Sequence, residues 1–502
     1  MKILSAEQLY LTDQATIKNL PISSLDLMEK AASKCFKWIV EKYPDKDITF
    51  YICCGVGNNG GDGLVLSRLL NQEGYKPSTY IINFSENRSQ DFRTNLKRIE
   101  NLNLSVNEIR PGDSYPEFNE NGVIIDAIFG IGLKRPAEGF VADFISHIND
   151  SRASVISIDL PSGLFVDMPN GSLDHIIRAS YTLSFQTPKL AFLLPDNHQF
   201  AGEWIILDIG LDKGFIDGLE CQKYFVDLDR VQTIIRKRST FSHKGTFGHS
   251  LIIGGSFGKI GAMVLASKAA LRSGSGLVTA YIPKCGYSSL QTAVPETMVE
   301  VDDEKLIQFF NVKTEASAIG IGPGLGRNPK TRKGFVDFLL KCDVPLVIDA
   351  DGLNMISEYD DLLSIIPKGS VLTPHPKEFE RLVGTWTNDY EKLDKQLSLS
   401  KTLDSVVVLK GAYTSIAYRG RLFFNSTGNP GLATAGSGDV LTGMITAFRA
   451  QGYDPLESSL LGVYLHGLSA DIAVNGKESP ESMTALDCIS HLGAAFKQVG
   501  SK

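Results

Sequence analysis

The chain has 502 residues, 43% of them hydrophobic and 21% charged, a composition typical of soluble globular proteins large enough to bury more than one core. At roughly 150 residues per domain, two or three domains are expected. The formal net charge of -7 argues against nucleic acid or an anionic membrane as the main partner, because such partners require a dense basic surface.

Cysteine usage and the N-terminal sequence indicate a cytoplasmic protein. Seven cysteines are scattered along the chain without a CxxC pair, which favours a reducing compartment over a disulfide framework or a zinc site. The first residues, MKILSAEQ, lack the apolar core of a signal peptide. No apolar run reaches the roughly 18 residues of a membrane span, so we expect no membrane partner.

Short β-rich runs alternate with helical patterns in the first half of the chain. Helices are predicted over 63–72 and 91–100, and strands over 48–54, 78–83, 123–129, 154–159, 181–185 and 204–208. Apolar strands that alternate with helices indicate a parallel sheet covered on both faces.

The second half repeats this pattern after a polar joint over 211–238. Helices are predicted over 261–272 and 439–450, and strands over 250–253, 277–282, 318–321, 346–348, 370–372, 406–409 and 415–418. We therefore expect two α/β domains, one over residues 1–215 and one over residues 225–500.

A glycine-rich segment, CGVGNNGGDG at 54–63, follows the first predicted strand and opens a helix. Its glycines allow close backbone approach and positive φ, and N–H groups at a helix start suit a phosphate. The spacing also fits the GxGxxG fingerprint of a plain dinucleotide site, which is the alternative interpretation. Against it, the acidic residue expected after the next strand comes late, as Glu86, and Asp62 stands where a pyrophosphate would lie.

Three later strand ends add oxygen-bearing side chains. They are DAIFGIGL at 126–133, IDLPSG at 158–163 and FQTPK at 185–189. Ligands of open α/β sheets bind outside the carboxyl ends of the strands. Carboxylates and amides gathered there suit a hard cation or general acid/base chemistry.

On these motifs, residues from about 1 to 215 resemble the NAD(P)H-hydrate epimerase domain, which has a Rossmann-like three-layer fold. The resemblance implies a K⁺ ion held by Asn59, Asp126 and Ser162, and an acid/base role for Asp159. It also implies that the hydrate contacts Asp159 and two loops, namely Asn58, Asn59, Gly60, Gly61, Asp62, Gly130, Ile131, Gly132, Leu133, Lys134, Arg135 and Pro136. Ile131 departs from the family, which usually has Thr there.

Motifs of a second ligand site follow in the C-terminal half. A glycine-rich turn, IGGSFGKIGA at 253–262, precedes a helix but lacks the GxxxxGK[ST] spacing of a Walker loop. GPGLG at 322–326, IDADGLN at 348–354 and TPHPKE at 373–378 come next. His375 lies between two prolines, in a stiff extended turn that favours a placed ligand contact.

The segment GSGD at 436–439 is the strongest of these motifs. Glycines at a helix start form an anion hole, and Asp439 can take a proton from a hydroxyl that attacks a phosphoryl group. KGAYT at 410–414 follows a predicted strand and is suited to hold a nucleotide.

Residues from about 225 to 500 therefore resemble the ribokinase-like, ADP- or ATP-dependent NAD(P)H-hydrate dehydratase. The resemblance implies phosphorylation of the C6 hydroxyl of the hydrate, with ADP as donor and Mg²⁺ as cofactor, followed by loss of phosphate. Two residues depart from the family pattern: Ala435 stands where glycine is common, and Lys377 stands where a small residue is frequent. Implied hydrate contacts are Ala262, Gly324, His375 and Asp439, and implied nucleotide contacts are Lys410, Gly411, Ala412, Tyr413, Thr414 and Gly438.

The two halves together predict a bifunctional repair enzyme that acts on NADH hydrate and NADPH hydrate and consumes ADP. We expect a homo-oligomer. The chief alternative is a ribokinase-like vitamin or sugar kinase fused to a Rossmann-like binding domain, and a non-catalytic nucleotide-binding regulator is a third interpretation. The epimerase-like half favours repair, because an enzyme that accepts one C6 epimer gains from a partner that interconverts both.

Overall fold

The computed structural model describes residues 1–171 and 175–500, and they form two compact units. The N-terminal unit comprises Lys2–Cys221 and the short segment Asn388–Tyr390. The C-terminal unit comprises Met1, Gln222–Thr387 and the described chain from Glu391 onward. No helix among the described residues is long and apolar enough to cross a membrane.

The N-terminal unit is built on a seven-stranded sheet in the order β3-β2-β1-β4-β5-β6-β7, and every pairing in it is parallel. The strands are β1 Phe50–Cys54, β2 Ser78–Ile82, β3 Val106–Ile109, β4 Val123–Ala127, β5 Ser154–Ile158, β6 Tyr181–Phe185 and β7 Glu203–Leu207. The helices are α1 Ala6–Asn19, α2 Ser24–Lys42, α3 Asn58–Gln72, α4 Gln90–Asn101, α5 Phe140–Asp150, α6 His198–Ala201 and α7 Lys213–Gly218.

Side chains of this sheet are buried on both faces, as the apolar strand sequences predict. Ile52 and Cys54 point into one hydrophobic core, and Cys53, between them, points into the other. Helices cover both faces, which gives three layers.

The C-terminal unit is built on a ten-stranded sheet in the order β11-β10-β9-β12-β13-β14-β15-β16-β17-β8. Its strands are β8 Lys223–Val226, β9 His249–Ile253, β10 Leu277–Ile282, β11 Met298–Val301, β12 Ala318–Ile321, β13 Leu346–Ile348, β14 Val371–Leu372, β15 Val406–Leu409, β16 Ser415–Tyr418 and β17 Arg421–Asn425. Its helices are α8 Leu228–Ile234, α9 Ile260–Arg272, α10 Tyr287–Ala293, α11 Pro329–Leu339, α12 Ala350–Ile356, α13 Pro376–Val383, α14 Asp389–Leu403, α15 Ser437–Ala450, α16 Pro455–Gly476 and α17 Ala485–Gly500.

This second sheet is also buried on both faces. Val406 and Val408 of β15 belong to the core with α15, α16 and α17, whereas Val407 and Leu409 belong to the opposite core. Unlike the first sheet, it is not wholly parallel, because β16 pairs antiparallel with both neighbours. Arg419 and Gly420, both at positive φ, form the two-residue turn from β16 to β17.

The α/β prediction is confirmed for both halves, and all thirteen predicted strands are found within two residues of the predicted positions. Four strands were missed: β3, β8, β11 and β17. The interpretation of 211–238 as a polar joint is wrong in part, because β8 and two short helices lie within it. The break between the units falls between Cys221 and Gln222.

Candidate active sites

The glycine-rich segment of the N-terminal unit joins β1 to α3, and α3 begins inside it at Asn58. Two of its glycines are required by close backbone contacts. A Cβ on Gly55 would lie 2.0 Å from the Ile128 carbonyl oxygen, and one on Gly60 would lie 1.9 Å from the Gly55 carbonyl oxygen. The prediction that these glycines adopt positive φ is wrong, because no residue of 55–63 has a positive φ. These glycines instead allow the start of α3 to pack against the ends of β1 and β4.

The three residues implied as potassium ligands lie in one hydrogen-bonded cluster. Asp126, in β4, accepts hydrogen bonds from the Ser162 hydroxyl (2.5 Å) and the Ser162 N–H (2.9 Å). The Phe129 N–H donates to the Ser162 hydroxyl (2.8 Å), and the Asn59 side chain donates to the Phe129 carbonyl (2.9 Å). Hydrogen bonds therefore link side chains from three different segments at the carboxyl edge of the sheet.

The surroundings of Asp126 fit a bound cation. Asp126 is fully buried, and burial raises the pKa of its carboxyl. Its described neighbours are hydroxyl and N–H donors of Ser157, Ser162 and Ile128, and none of them carries a positive charge. A buried carboxylate without a cationic partner is costly, and the side-chain oxygens of Asn59, Asp126 and Ser162 are ligands of the kind that a hard cation prefers. The side chains present therefore fit K⁺.

Asp159 follows β5 in the left-handed backbone region, with φ of 66°, where a non-glycine residue is uncommon and often functional. Its carboxylate reaches the end of β6 and accepts a hydrogen bond from the Phe185 N–H (3.3 Å). The Lys189 Nζ lies 3.0 Å from the same carboxylate and donates to the Phe185 carbonyl (2.7 Å). Lys189 is 1% exposed. It was not predicted as a site residue, although it ends the FQTPK motif.

Two further carboxyl groups, Asp13 of α1 and Asp62 of α3, interact with the charge of Asp159. Burial raises the pKa of Asp13 to about 7; the charge of Asp159 adds to this shift and that of Lys189 opposes it. Burial, with Asp159 and Asp13, also raises the pKa of Asp62 well above its ordinary range. Asp62 belongs to the predicted hydrate loop, whereas Asp13 was missed because no motif marks it.

The second predicted hydrate loop, 130–136, follows β4. A Cβ on Gly130 would lie 3.4 Å from Asn59 Cβ, so this residue adjoins the first loop. Ile131 packs against a hydrophobic cluster that includes Leu160, so its apolar side chain has a structural role where the family has Thr. Residues 134–136 are exposed. Gly130 is therefore the residue through which the second loop adjoins the first, next to Asn59.

In the C-terminal unit, a buried ion pair joins the ends of two strands. Asp349 follows β13 and is 1% exposed. The Lys410 Nζ, after β15, lies 2.8 Å from Asp349 Oδ1, and the Thr442 hydroxyl donates to Asp349 Oδ2 (2.7 Å). Asp349 and Thr442 were not predicted as site residues, although Asp349 lies in the IDADGLN motif. Together they fix the ammonium group of Lys410 beside α15.

The start of α15 lies against this ammonium group. Gly436, at φ 87°, precedes the helix, and a Cβ on Gly438 would lie 3.4 Å from the Lys410 Nζ. Burial, aided by the charge of Asp349 and opposed by that of Lys410, raises the pKa of Asp439 to about 7. A helix start able to bind an anion and a carboxyl that titrates near neutrality therefore share one site.

The loop from β15 to β16 carries the other predicted nucleotide contacts, 410–414. Gly411 and Ala412 are exposed, and the Thr414 hydroxyl donates to the Gly411 carbonyl (3.0 Å), which closes the loop. The ion pair between Lys410 and Asp349 places this loop beside the start of α15. The exposed residues Gly411 and Ala412 can then contact a ligand there.

His375 caps the start of α13 next to this site. Its Nδ1 accepts a hydrogen bond from the Lys377 backbone N–H (3.1 Å), and the backbone N–H of His375 donates to Glu378 Oε2 (2.9 Å). Burial and the charge of Lys410 lower the pKa of His375, so the imidazole is neutral at pH 7. Glu378 is 5% exposed and lies 3.9 Å from the Lys410 Nζ. The site thus has a second buried carboxyl that was missed.

The remaining predicted hydrate contacts, Ala262 and Gly324, lie side by side. The turn after β9 packs on the turn after β12: the Gly255 N–H donates to the Pro323 carbonyl (2.8 Å), and the Ser256 hydroxyl donates to the Gly324 carbonyl (2.8 Å). A Cβ on Gly324 would lie 3.2 Å from Ala262 Cβ. Glycine at 324 is therefore required by both its φ of 58° and its close neighbour.

Two α/β units, each with a buried acidic cluster at the carboxyl ends of its strands, define a two-domain α/β enzyme. Family models match both units. Residues 24–191 match the model described as YjeF-related protein N-terminus, and residues 250–492 match the model described as NAD(P)H-hydrate dehydratase.

Full-length relatives place both units in one family. The chain is 33% identical to the bifunctional NAD(P)H-hydrate repair enzyme Nnr of Moorella thermoacetica, over 98% of this chain and 96% of the relative. It is 31% identical to that of Thermofilum pendens, over 99% and 96%. The ADP/ATP-dependent NAD(P)H-hydrate dehydratase of Bacillus subtilis, co-crystallised with ATP and Mg²⁺, is 30% identical over 55% of this chain and 98% of that chain, with a TM-score of 0.49. The chain belongs to the family of bifunctional NAD(P)H-hydrate repair enzymes.

Proposed function

We propose that the N-terminal unit interconverts the R and S epimers of NADH hydrate and NADPH hydrate, and that the C-terminal unit dehydrates the S epimer with ADP, giving AMP and phosphate. One observation carries this assignment. Each unit holds a carboxylate at the carboxyl edge of its sheet, Asp159 paired with Lys189 and Asp439 beside Lys410. Both reactions require a proton transfer at the same C6 hydroxyl.

In the epimerase site, Asp159 is the acid/base group. The hydroxyl of the hydrate is on C6, next to the ring nitrogen, whose lone pair assists loss of the oxygen. Asp159 exchanges a proton with that oxygen, while residues 58–62 and 130–136 bind the hydrate. Asn59, Asp126 and Ser162 would hold K⁺, which supplies fixed positive charge at the start of the 58–62 loop when bound.

In the dehydratase site, Asp439 accepts the proton of the C6 hydroxyl as that oxygen attacks the terminal phosphoryl group of ADP. Lys410 and the N–H groups at the start of α15 stabilise the negative charge of the phosphoryl group. Loss of phosphate from C6, with a proton from C5, then restores the dihydropyridine. Asp349 and Glu378 both lie within ion-pair distance of Lys410 and orient its ammonium group. Mg²⁺ would enter on the phosphates of ADP, whose charge it would neutralise.

The test is to mix the protein with both epimers of NADPH hydrate, ADP and Mg²⁺, and to follow the absorbance of the reduced nicotinamide. Wild type should convert both epimers. Asp439→Asn should abolish recovery, and Asp159→Asn should leave the R epimer behind, apart from slow spontaneous interconversion. Full recovery by Asp159→Asn would refute its role. A stable phosphorylated product without free phosphate would instead support the sugar or vitamin kinase alternative.

Cofactor dependence separates the two units. We expect epimerisation to fall when K⁺ is replaced by Li⁺ and to recover when K⁺ is restored, while dehydration of pure S epimer does not change. Side-by-side assays with ADP and ATP test the proposed donor. Light scattering tests the predicted homo-oligomer, and the cytoplasmic location stays a prediction.

A further inference from the structure

Helix α1 carries a charged residue on the face that is otherwise buried. Leu9, Thr12 and Thr16 are the buried residues of this helix, and Asp13 lies among them at the i, i+4 and i, i+3 positions. The hydroxyl groups of Thr12 and Thr16 each donate to the backbone one turn earlier (2.7 Å). They are thereby satisfied inside the helix, whereas Asp13 is not.

Neither Asp13, which is half-buried, nor Asp62, which is buried, has a hydrogen-bond partner among the described residues. Burial is the main cause that raises the pKa of both carboxyls, and neighbouring charges follow it. Asp62 is 8% exposed, so more than nine-tenths of it is buried. Buried polar groups are normally hydrogen-bonded, and unpartnered carboxyls beside a conformationally strained aspartate indicate a ligand site.

The charges at this place do not balance. Within the part of the chain that the structure describes, one cation, Lys189, opposes Asp13 and Asp159, and its ammonium group already contacts Asp159 and the Phe185 carbonyl. The neighbouring Cys35 thiol is kept neutral by burial and by the nearby carboxylates, which raise its pKa. Carboxylates that repel one another in a buried site retain at least one proton between them.

We propose that Asp13 is a second acid/base group of the epimerase site, and that it shares the proton transfers with Asp159. This proposal rests on the proposed function of the N-terminal unit. Asp13 lies one helical turn from both Leu9 and Ile17 on α1. Leu9 shares a hydrophobic cluster with Leu160, next to Asp159, and Ile17 packs on the same cluster as Phe185, whose N–H donates to the Asp159 carboxylate. The face of α1 that bears Asp13 therefore packs beside Asp159, and the two carboxyls come from different elements. A reaction that removes water from one face of C6 and returns it to the other needs a proton donor and a proton acceptor at separate positions.

The proposed steps balance in both directions. Protonated Asp13 donates its proton to the C6 hydroxyl, the C6–O bond breaks with its electron pair on the leaving water, and the ring nitrogen lone pair forms the N1=C6 bond. Water then adds to the other face of C6, the N1=C6 pair returns to nitrogen, and Asp159 takes the proton released by the water. For the opposite epimer, Asp159 donates the proton to the C6 hydroxyl and Asp13 takes the proton from the water that adds. Proton exchange with solvent resets the pair.

Asp13→Asn tests the proposal, with epimers separated by chromatography in the absence of nucleotide. We expect kcat for epimerisation to fall by about 10²–10⁴-fold with little change in KM. Glu7→Gln is the matched control, because Glu7 is an exposed acid on the same helix. It should keep wild-type kcat. An Asp13→Asn enzyme with wild-type kcat would overturn the proposal.

Chemical rescue separates catalysis from folding. In Asp13→Ala, added formate should restore part of kcat, because it supplies a carboxyl group where the side chain was removed, whereas chloride at equal ionic strength should not. Failure of formate to rescue an Asp13→Ala protein that melts like wild type would count against an acid/base role. Dehydration of pure S epimer with ADP should be unchanged in every α1 variant, which shows that the C-terminal unit is intact, and the melting curve reports the folding of the N-terminal unit.

The same assay separates failure of the proposed epimerase function from failure of the role proposed for Asp13. If wild-type protein does not interconvert the epimers faster than buffer, the proposed function of the N-terminal unit fails. If wild type interconverts them and Asp13→Asn does so equally well, only the role of Asp13 fails.

Discussion

The two sites obtain a carboxyl that titrates near pH 7 in the same way but use their lysines differently. Burial and a neighbouring aspartate raise the pKa of Asp13 in the N-terminal unit and of Asp439 in the C-terminal unit to about 7. Lys189 is 1% exposed, and its ammonium group is occupied by Asp159 and a backbone carbonyl. Lys410, with 22% of its side chain exposed, lies at the open start of α15.

This difference matches the two proposed reactions. Epimerisation moves only protons and water, so its lysine organises a carboxylate and need not touch a phosphate. Dehydration transfers a phosphoryl group, so its lysine must reach an anion while two carboxylates orient it. A lysine's exposure and existing partners therefore indicate whether it acts on another side chain or on the substrate.

The largest expected effect is the loss of dehydration in Asp439→Asn. The rate with S epimer and ADP should fall by about 10²–10⁴-fold, because no other carboxyl replaces the proton acceptor. Epimerisation should not change. Asp143→Asn, an exposed first-turn aspartate of α5, is the matched control and should leave both rates intact. A parallel fall in both activities of Asp439→Asn would contradict the separation of the two sites.

The contrast between the lysines predicts a second, smaller effect, on stability. Lys189→Met leaves Asp159 buried without its cation and should lower the free energy of unfolding by about 3 kcal/mol. Lys410→Met should cost less, about 2 kcal/mol, since 22% of the Lys410 side chain is exposed and the buried Asp349 carboxylate keeps the Thr442 hydroxyl. Urea denaturation, followed by circular dichroism, measures both. Equal losses in the two variants would show that exposure does not govern the role of these lysines.

Central strands could be predicted from the sequence because they are buried on both faces and read as apolar runs. Three of the four missed strands, β3, β8 and β11, are edge strands of the two sheets. An edge strand exposes one side to solvent, and β3, with the sequence VNEI, has two exposed polar residues. Their pairing is determined by the sheet beside them and is not visible in their own sequence.

Site residues could be predicted where a glycine-rich motif marks them, as with Asp62, Asp439 and Lys410. Asp13, Lys189 and Thr442 were missed because their partners come from distant parts of the chain. One signal was available: Asp13 falls at helical spacing from Leu9 and Ile17 on the buried face of α1, where a charge requires a partner or a function.

The glycine-rich loop of the N-terminal unit predicts a third effect, a loss of stability where an added Cβ would meet the backbone. Gly60→Ala should lower the free energy of unfolding by about 1–3 kcal/mol, because its Cβ would meet the Gly55 carbonyl. Gly57→Ala should cost less than about 1 kcal/mol, since no atom lies within 4 Å of its Cβ and its φ of −94° suits alanine. Thermal unfolding of the pair measures the difference. Equal melting temperatures would contradict the packing role assigned to Gly60.

A final expected effect, similar in size to the third, is a pH-dependent gain of stability in Asp439→Asn. The pKa of Asp439 rises from 3.8 to about 7 on folding. Below pH 3.8 the Asp439 carboxyl is protonated in both the folded and the unfolded state. As the pH rises toward 7, this carboxyl ionises in the unfolded chain but keeps its proton in the folded chain. The free energy of unfolding therefore falls over this range. Asparagine does not ionise and avoids this loss, which is on the order of 2 kcal/mol after allowance for partial solvation.

The variant should therefore melt like wild type near about pH 4 and at a higher temperature near about pH 8. Scanning calorimetry across this range measures the divergence, and Asp143→Asn, whose carboxyl is exposed, should follow wild type throughout. Melting curves of wild type and Asp439→Asn that stay parallel would mean that Asp439 ionises freely in the folded protein. A gain of stability together with loss of dehydration would show that this carboxyl is kept at a cost to the fold because the reaction requires it.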